Sequence, residues 1–153
     1  MAIAPTTAGP TTRPGRRWPM TPEAWRALRA EEQRLEDDVR WLAGERDDRD
    51  GTRVRLPARD AARRLADLRV VLAAAEPTDV EGRAIIGRRV TFREEDGQLL
   101  TYALVVPGEG DPMNGWVSAD SPLGAALLDA RAGDEVRFSA PGGPRRVWVV
   151  SID

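Results

Sequence analysis

Two apolar runs of equal length constrain the first half of this chain more than any other feature. Trp25, Leu28, Glu32, Leu35, Val39 and Leu42 follow one another at steps of 3, 4, 3, 4, 3, and Ala58, Ala61, Leu65, Leu68, Leu72 and Ala75 repeat those steps. Apolar residues at that spacing line one side of a helix and form the seam of a coiled coil. The seams have the same span and only residues 43–57 between them, so the second helix is expected to fold back along the first. At 1.5 Å per residue each arm would be on the order of 35 Å long. Glu32 interrupts the first seam, and a single polar seam position typically fixes register at some cost in stability.

Local signals agree with this hairpin. Thr21, Pro22 and Glu23 supply a hydroxyl N-cap, a proline suited to the first helical position and an acid in the positive first turn. The first helix is predicted from Pro22 to about Ala43, stopped by Gly44. The connection Glu45-Arg46-Asp47-Asp48-Arg49-Asp50-Gly51 is charged throughout, and Asp50-Gly51 is a strong turn dipeptide. Pro57 is expected to open the second helix, which should run to about Ala75 and end before Glu76-Pro77. Carboxylates of Glu45, Asp47, Asp48 and Asp50 therefore stand at the far tip. Arg53, Arg55, Arg59, Arg63 and Arg64 gather just behind it, either as a basic surface for RNA phosphates or as charge partners for Glu36, Asp37 and Asp38 on the first arm. Trp41 falls on the outward side of the first helix, where it can anchor a partner or cover Val54 and Leu56.

Beyond Arg83 the period changes from helical to alternating. Val90–Phe92, Leu99–Val106, Trp116–Ser118, Glu135–Ser139 and Arg145–Ile152 read as short strands separated by Gly, Pro and Asn turns. One helix interrupts them, with Ser121 as N-cap, Pro122 in first position and Leu123, Leu127 and Leu128 as its buried stripe. Phe92, Tyr102, Trp116, Phe138 and Trp148 are assigned mostly to the core. The fold class is α+β: an N-terminal antiparallel two-helix coiled-coil hairpin followed by an antiparallel β domain with one short helix. The expected units are a disordered tail over 1–20, the hairpin over 21–76, a linker over 77–83 and the β domain over 84–153.

Composition removes several chemistries. Among the 153 residues there is no cysteine and no histidine, which excludes disulfides, thiol nucleophiles, imidazole bases and the usual zinc ligands. Every basic residue is arginine, the net charge is −2, and no stretch approaches the ~20 apolar residues of a membrane span. A cytoplasmic, membrane-free protein is expected.

The second half also carries a recognisable set of motifs. Gly87-x-x-Val90-Thr91-Phe92, the Glu95-Asp96-Gly97 turn and the run Thr101 to Pro107 come first. Glu109-Gly110-Asp111-Pro112, the run Val117 to Leu128, Gly133-Asp134-Glu135-Val136 and Pro141-Gly142-Gly143 follow. In this order they resemble the carboxy-terminal domain of the bacterial Gre (GreA/GreB) transcript-cleavage factors, and Met20-Thr21-Pro22 before a helical hairpin is similar in plan. The resemblance implies an FKBP-like domain that docks on bacterial RNA polymerase through Asp111, Pro112, Ser118, Asp120, Ser121 and Pro122. It further implies an arm inserted into the secondary channel toward the nascent RNA 3′ end. Acting as a monomer with no cofactor of its own, such a protein stimulates the polymerase's cleavage of backtracked transcripts, sharing a catalytic magnesium in trans through tip acids. Here Asp47 and Asp50 reproduce the acid spacing, while the family's G-D-L-x-E-N tip is replaced by G-E-R-D-D-R-D-G. Three alternatives stay open: a secondary-channel binder that inhibits or modulates transcription without cleavage, an FKBP-like peptide binder, and an oligomerisation module whose heptads pair between chains.

Overall fold

A computed structural model describes residues 16–44 and 55–153, with side-chain surroundings from 57 onward in the second segment. The tip residues Glu45, Asp47, Asp48 and Asp50, together with Arg53, Val54 and the Asp50-Gly51 turn, lie outside the described residues, as do the side chains of Arg55 and Leu56.

The hairpin forms as its periodicity requires. Helix α1 spans Pro22–Gly44 and α2 spans Arg55–Ala73. The Thr21 hydroxyl caps α1 by accepting from the Ala24 N–H at 3.1 Å. Ala24, Trp25 and Leu28 from the start of α1 share one apolar cluster with Leu68, Val71 and Leu72 from the end of α2, so the helices run antiparallel. Glu32, the polar seam residue, reaches across to Arg69 at 3.4 Å while also accepting from Arg29 at 2.8 Å. Those bonds, the one to Arg29 foremost, hold its carboxyl below the usual carboxylate range against the opposing effect of burial.

Helix α2 departs from expectation at both ends. It begins at Arg55, which places Pro57 within the first turn, where a missing N–H costs nothing. It also stops at Ala73, because Ala75, expected on the seam, enters a short strand β2 (Ala75–Pro77). Near its base the buried stripe of α2 passes through Leu65, Leu68 and Val71, whereas Leu72 is only half-buried. There α2 faces the β domain as well as α1, and Val71 clusters with Ile86 and Val106 of that domain.

The tail expected over residues 1–20 is corrected at its end. Trp18–Met20 forms strand β1, parallel to β2 with Trp18 opposite Ala75 and Met20 opposite Pro77. Trp18 and Met20 are fully buried, a large apolar gain for three residues of strand. On its other side β1 bonds to the domain: Ile86 N–H donates to Pro19 at 3.0 Å, and Thr21 N–H donates to Ile86 at 2.9 Å. Gly87 then sits in the left-handed region at φ +97°, and a Cβ there would lie 3.0 Å from the Ala24 Cβ. Residues flanking the hairpin thus stitch both of its ends to the β domain.

The domain itself is one five-stranded sheet in the order β5-β4-β3-β7-β6. Its strands are β3 (Arg89–Glu94), β4 (Leu99–Val105), β5 (Trp116–Ser118), β6 (Glu135–Ala140) and β7 (Gly143–Ile152). All pairings are antiparallel except β4 with β5, which is parallel, so the sheet is mixed. Helix α3 (Pro122–Leu127) covers one face, and Val90, Phe92, Leu104, Val117, Leu127, Val136, Val147 and Val149 make the core between them. Trp116 is a correction: it is 47% exposed, because on the edge strand β5 its neighbour Val117 takes the inward position. Among the described residues no helix is long and apolar enough to cross a membrane.

Candidate functional site

Two regions carry candidate residues: the arm, and the loops around Ser118 at the carboxy-terminal end of β5. The sharpest local order is in the loops. Ser118 is buried, its hydroxyl donates to a carboxylate oxygen of Asp120, and its carbonyl accepts from the Ser121 N–H at 3.0 Å and the Ser121 hydroxyl at 2.7 Å. The Ser121 hydroxyl in turn accepts from the Gly124 N–H at 3.0 Å and caps α3, with Pro122 at the first helical position. Gly124 lets the helix press against the Ser118 backbone: a Cβ there would stand 2.7 Å from the Ser118 carbonyl carbon. Gly110 closes in from the other side, its Cβ position 3.0 Å from the Ser118 Cβ.

Asp111 and Pro112 open the neighbouring loop. Asp111 exchanges backbone hydrogen bonds with Trp116 at 2.9 Å, and its carboxylate accepts from the Asn114 side-chain amide at 2.6 Å. This fixes a single 3-10 turn, Pro112–Asn114, which pushes Met113 out to 95% exposure beside exposed Trp116. Asp111, Pro112, Ser118, Asp120, Ser121 and Pro122 are therefore brought to one ordered region. Ser118 lies inside it as a scaffold, whereas Pro112 and Pro122 are exposed.

On the arm, Arg59 and Arg63 are exposed on α2. Arg64 is different: its guanidinium bonds to Glu31 of α1 at 3.0 Å and to Glu109 of the loop before Gly110. Partial burial works against its charge, but the bonds to Glu109 and Glu31 outweigh that and hold it above its usual value. Arg69 bonds Glu36 and Glu32. Charge pairing across the hairpin therefore runs through Arg64 and Arg69 to Glu31, Glu32 and Glu36, while Asp37 pairs with Arg40 of its own helix. Trp41 is 61% exposed near the end of α1, on the outward side its position predicts. Sequence reasoning missed the Arg64–Glu109 contact, since nothing local connects residues that far apart, and missed Met113, whose exposure follows from the turn. The alternation across Trp116-Val117 was the available signal for Trp116.

Similarity to known proteins falls on this same domain. Residues 79–153 match the family described as "Transcription elongation factor, GreA/GreB, C-term". The chain is 42% identical to transcription elongation factor GreA of Syntrophobacter fumaroxidans over 79 residues, 50% of this chain and 51% of that one. It is 42% identical to GreB of Xanthomonas axonopodis over 93 residues, 60% of this chain and 54% of the other. The matched stretch thus spans about half the length of these relatives. A solved GreA/GreB structure from Nitrosomonas europaea aligns over 89% of this chain and 98% of its own at 25% identity, with a TM-score of 0.44. Residues 79–153 are thus similar to the carboxy-terminal domain of the GreA/GreB transcription elongation factors.

Proposed function

We propose that this protein is a transcription elongation factor that binds bacterial RNA polymerase, inserts its hairpin into the secondary channel and stimulates cleavage of backtracked transcripts. The observation that carries this reading is the mounting of the arm. A projecting tip transmits position only if its base is fixed, and here Trp18, Met20, Leu28, Leu68, Val71, Ile86, Val106 and Ala119 form one buried cluster across hairpin and domain. The Arg64–Glu109 contact adds a second tie. A docking loop held by Ser118, Ser121 and Gly124 would set the domain on its partner, and the fixed base would carry that placement outward along the arm.

In this account the protein is not itself an enzyme. Glu45, Asp47, Asp48 and Asp50 are oxygen-only donors, the kind magnesium takes, and one or two such carboxylates suffice for an ion held mainly by another protein. Among the described residues no cluster of acids could hold a metal. A magnesium bound in that way supplies activation of water and charge stabilisation; this chain contributes the carboxylates, Asp47 and Asp50 first, and their placement. Arg53, Arg55, Arg59 and Arg63 would face the RNA 3′ end, where guanidinium groups suit phosphates.

The replaced tip motif favours a second reading, a secondary-channel binder that modulates transcription without cleavage. Two assays on purified polymerase separate them. Added to backtracked complexes, the protein should shorten the transcript from its 3′ end; under the second reading it leaves that RNA intact and lowers promoter initiation. Failure to bind polymerase at all would overturn both.

A further inference from the structure

Among the described residues nothing covers the sheet face opposite α3. Register assigns to it Thr91 and Arg93 of β3, Leu99 and Thr101 of β4, Arg146 and Trp148 of β7, and Glu135 and Arg137 of β6, because their neighbours Val90, Phe92, Leu100, Val136 and Val147 point into the core. Three features of this face are not what sheet stability alone selects. Trp148 has two guanidinium groups near its ring, Arg93 at 5.6 Å and Arg146 at 5.7 Å from the ring centroid. Arg137 stands directly opposite Arg146, a like-charge cross-strand pair that disfavours the sheet. Arg93 has no carboxylate within ion-pair distance among the described residues, although Arg137 and Arg146 are matched by Glu135 and Glu95. Apolar surface flanks the ring: Leu99, opposite Arg93, is 60% exposed, and the β7 irregularity leaves Val150 50% exposed.

The geometry points to a single-stranded RNA site on this sheet face, centred on Trp148 and Arg93 and separate from the hairpin tip. The indole offers stacking surface for an unpaired base, the exposed aliphatic side chains offer apolar contact beside it, and Arg93, without a carboxylate partner among the described residues, meets a phosphate. The Thr91 and Thr101 hydroxyls, 2.8 Å apart on the same face, bond to each other and leave one O–H and spare lone pairs free. A ribose 2′-hydroxyl can use both, which is why RNA is preferred here over DNA. The site needs no polymerase, so it stands or falls independently of the function proposed above.

The test is fluorescence anisotropy of a labelled, unstructured RNA of about 12 nucleotides with the full chain, repeated over a range of salt concentrations. Saturable binding that weakens with salt is expected. Trp148→Ala should reduce affinity about tenfold or more while Trp148→Phe retains most of it. Arg93→Ala, at an exposed position where folding is not at stake, should weaken binding and lower the salt slope by about one. DNA of the same sequence should bind more weakly. No saturable RNA binding at low salt would overturn the proposal. So would wild-type affinity in Arg93→Ala and Trp148→Ala, or a loss seen only with Arg59→Ala and Arg63→Ala on the hairpin. Equal affinity for the DNA would overturn the assignment to RNA.

Discussion

Trp18 is the residue on which the mounting of the arm depends most. It is fully buried in the cluster shared by both halves, its backbone N–H donates to the Ala74 carbonyl at 2.8 Å just beyond α2, and Arg16 lies 4.8 Å over its ring. Replacing it by alanine should cost about 3–5 kcal/mol, the range for large aromatic truncations in a core. That is a large part of the roughly 5–15 kcal/mol available to a domain of this kind. The Trp18 indole Nε1 is buried without a hydrogen-bond partner among the described residues, a burden of about 1–3 kcal/mol. Trp18→Phe removes that orphaned donor and leaves a much smaller cavity, costing about 1–2 kcal/mol, so the two effects should cancel to within about 1 kcal/mol. Urea unfolding, followed by far-ultraviolet circular dichroism for the helices and by NMR amide signals of β3 and β7 for the sheet, measures both variants. The parent should unfold in one transition by both probes, because its halves share a core. In Trp18→Ala the helical signal should be lost at lower urea than the sheet signals. A loss below about 1 kcal/mol with coincident transitions would refute the claim that β1 couples arm to domain.

Three further outcomes follow from the geometry. Gly124→Ala should destabilise the domain by about 3 kcal/mol or more in thermal unfolding, since the new methyl meets backbone that cannot swing aside. Ser121→Ala should cost about 1 kcal/mol in the same assay through the lost α3 cap. Glu32 has its carboxyl lowered by Arg29 and Arg69, so its contribution is present above the ordinary carboxylate range and is lost as pH falls through the lowered folded value. Urea titrations at neutral and acid pH should therefore show a smaller acid-side loss of stability in Glu32→Gln than in the parent; an equal loss would count against the pair.

Much of this architecture was legible because it is written in local periodicity. The 3,4 spacing placed Leu28, Leu65 and Leu68 inside the hairpin, and Phe92 lies in the sheet core as expected, whereas Trp148, also expected there, stands on the opposite face because its neighbours Val147 and Val149 point inward. Ser121-Pro122 announced α3 through capping chemistry that acts within four residues. What escaped was set by distant contacts. Trp-Pro-Met at 18–20 is too short and proline-interrupted to signal a strand, and becomes one only because β2 and Ile86 flank it. Ala75 fits a helical seam by spacing, yet pairing with Trp18 draws it into β2. Likewise Arg64 was one of several arginines in sequence, and only the approach of the Glu109 loop singles it out. The motif around Ser118 named residues that the structure gathers in one region, though it did not distinguish the buried scaffold residue Ser118 from the exposed Pro112 and Pro122.

Delivery of carboxylates to the polymerase by a docked, rigidly mounted arm is tested by single-turnover RNA cleavage in a backtracked complex, measured against the concentration of this protein. The cleavage rate should rise to a plateau with the parent chain. Asp47→Ala combined with Asp50→Ala should lower the plateau at nearly unchanged half-saturation, whereas Asp120→Ala in the docking loop should raise the half-saturating concentration. A protein that binds the complex yet never accelerates cleavage, or a tip variant with the parent's plateau, would contradict the claim.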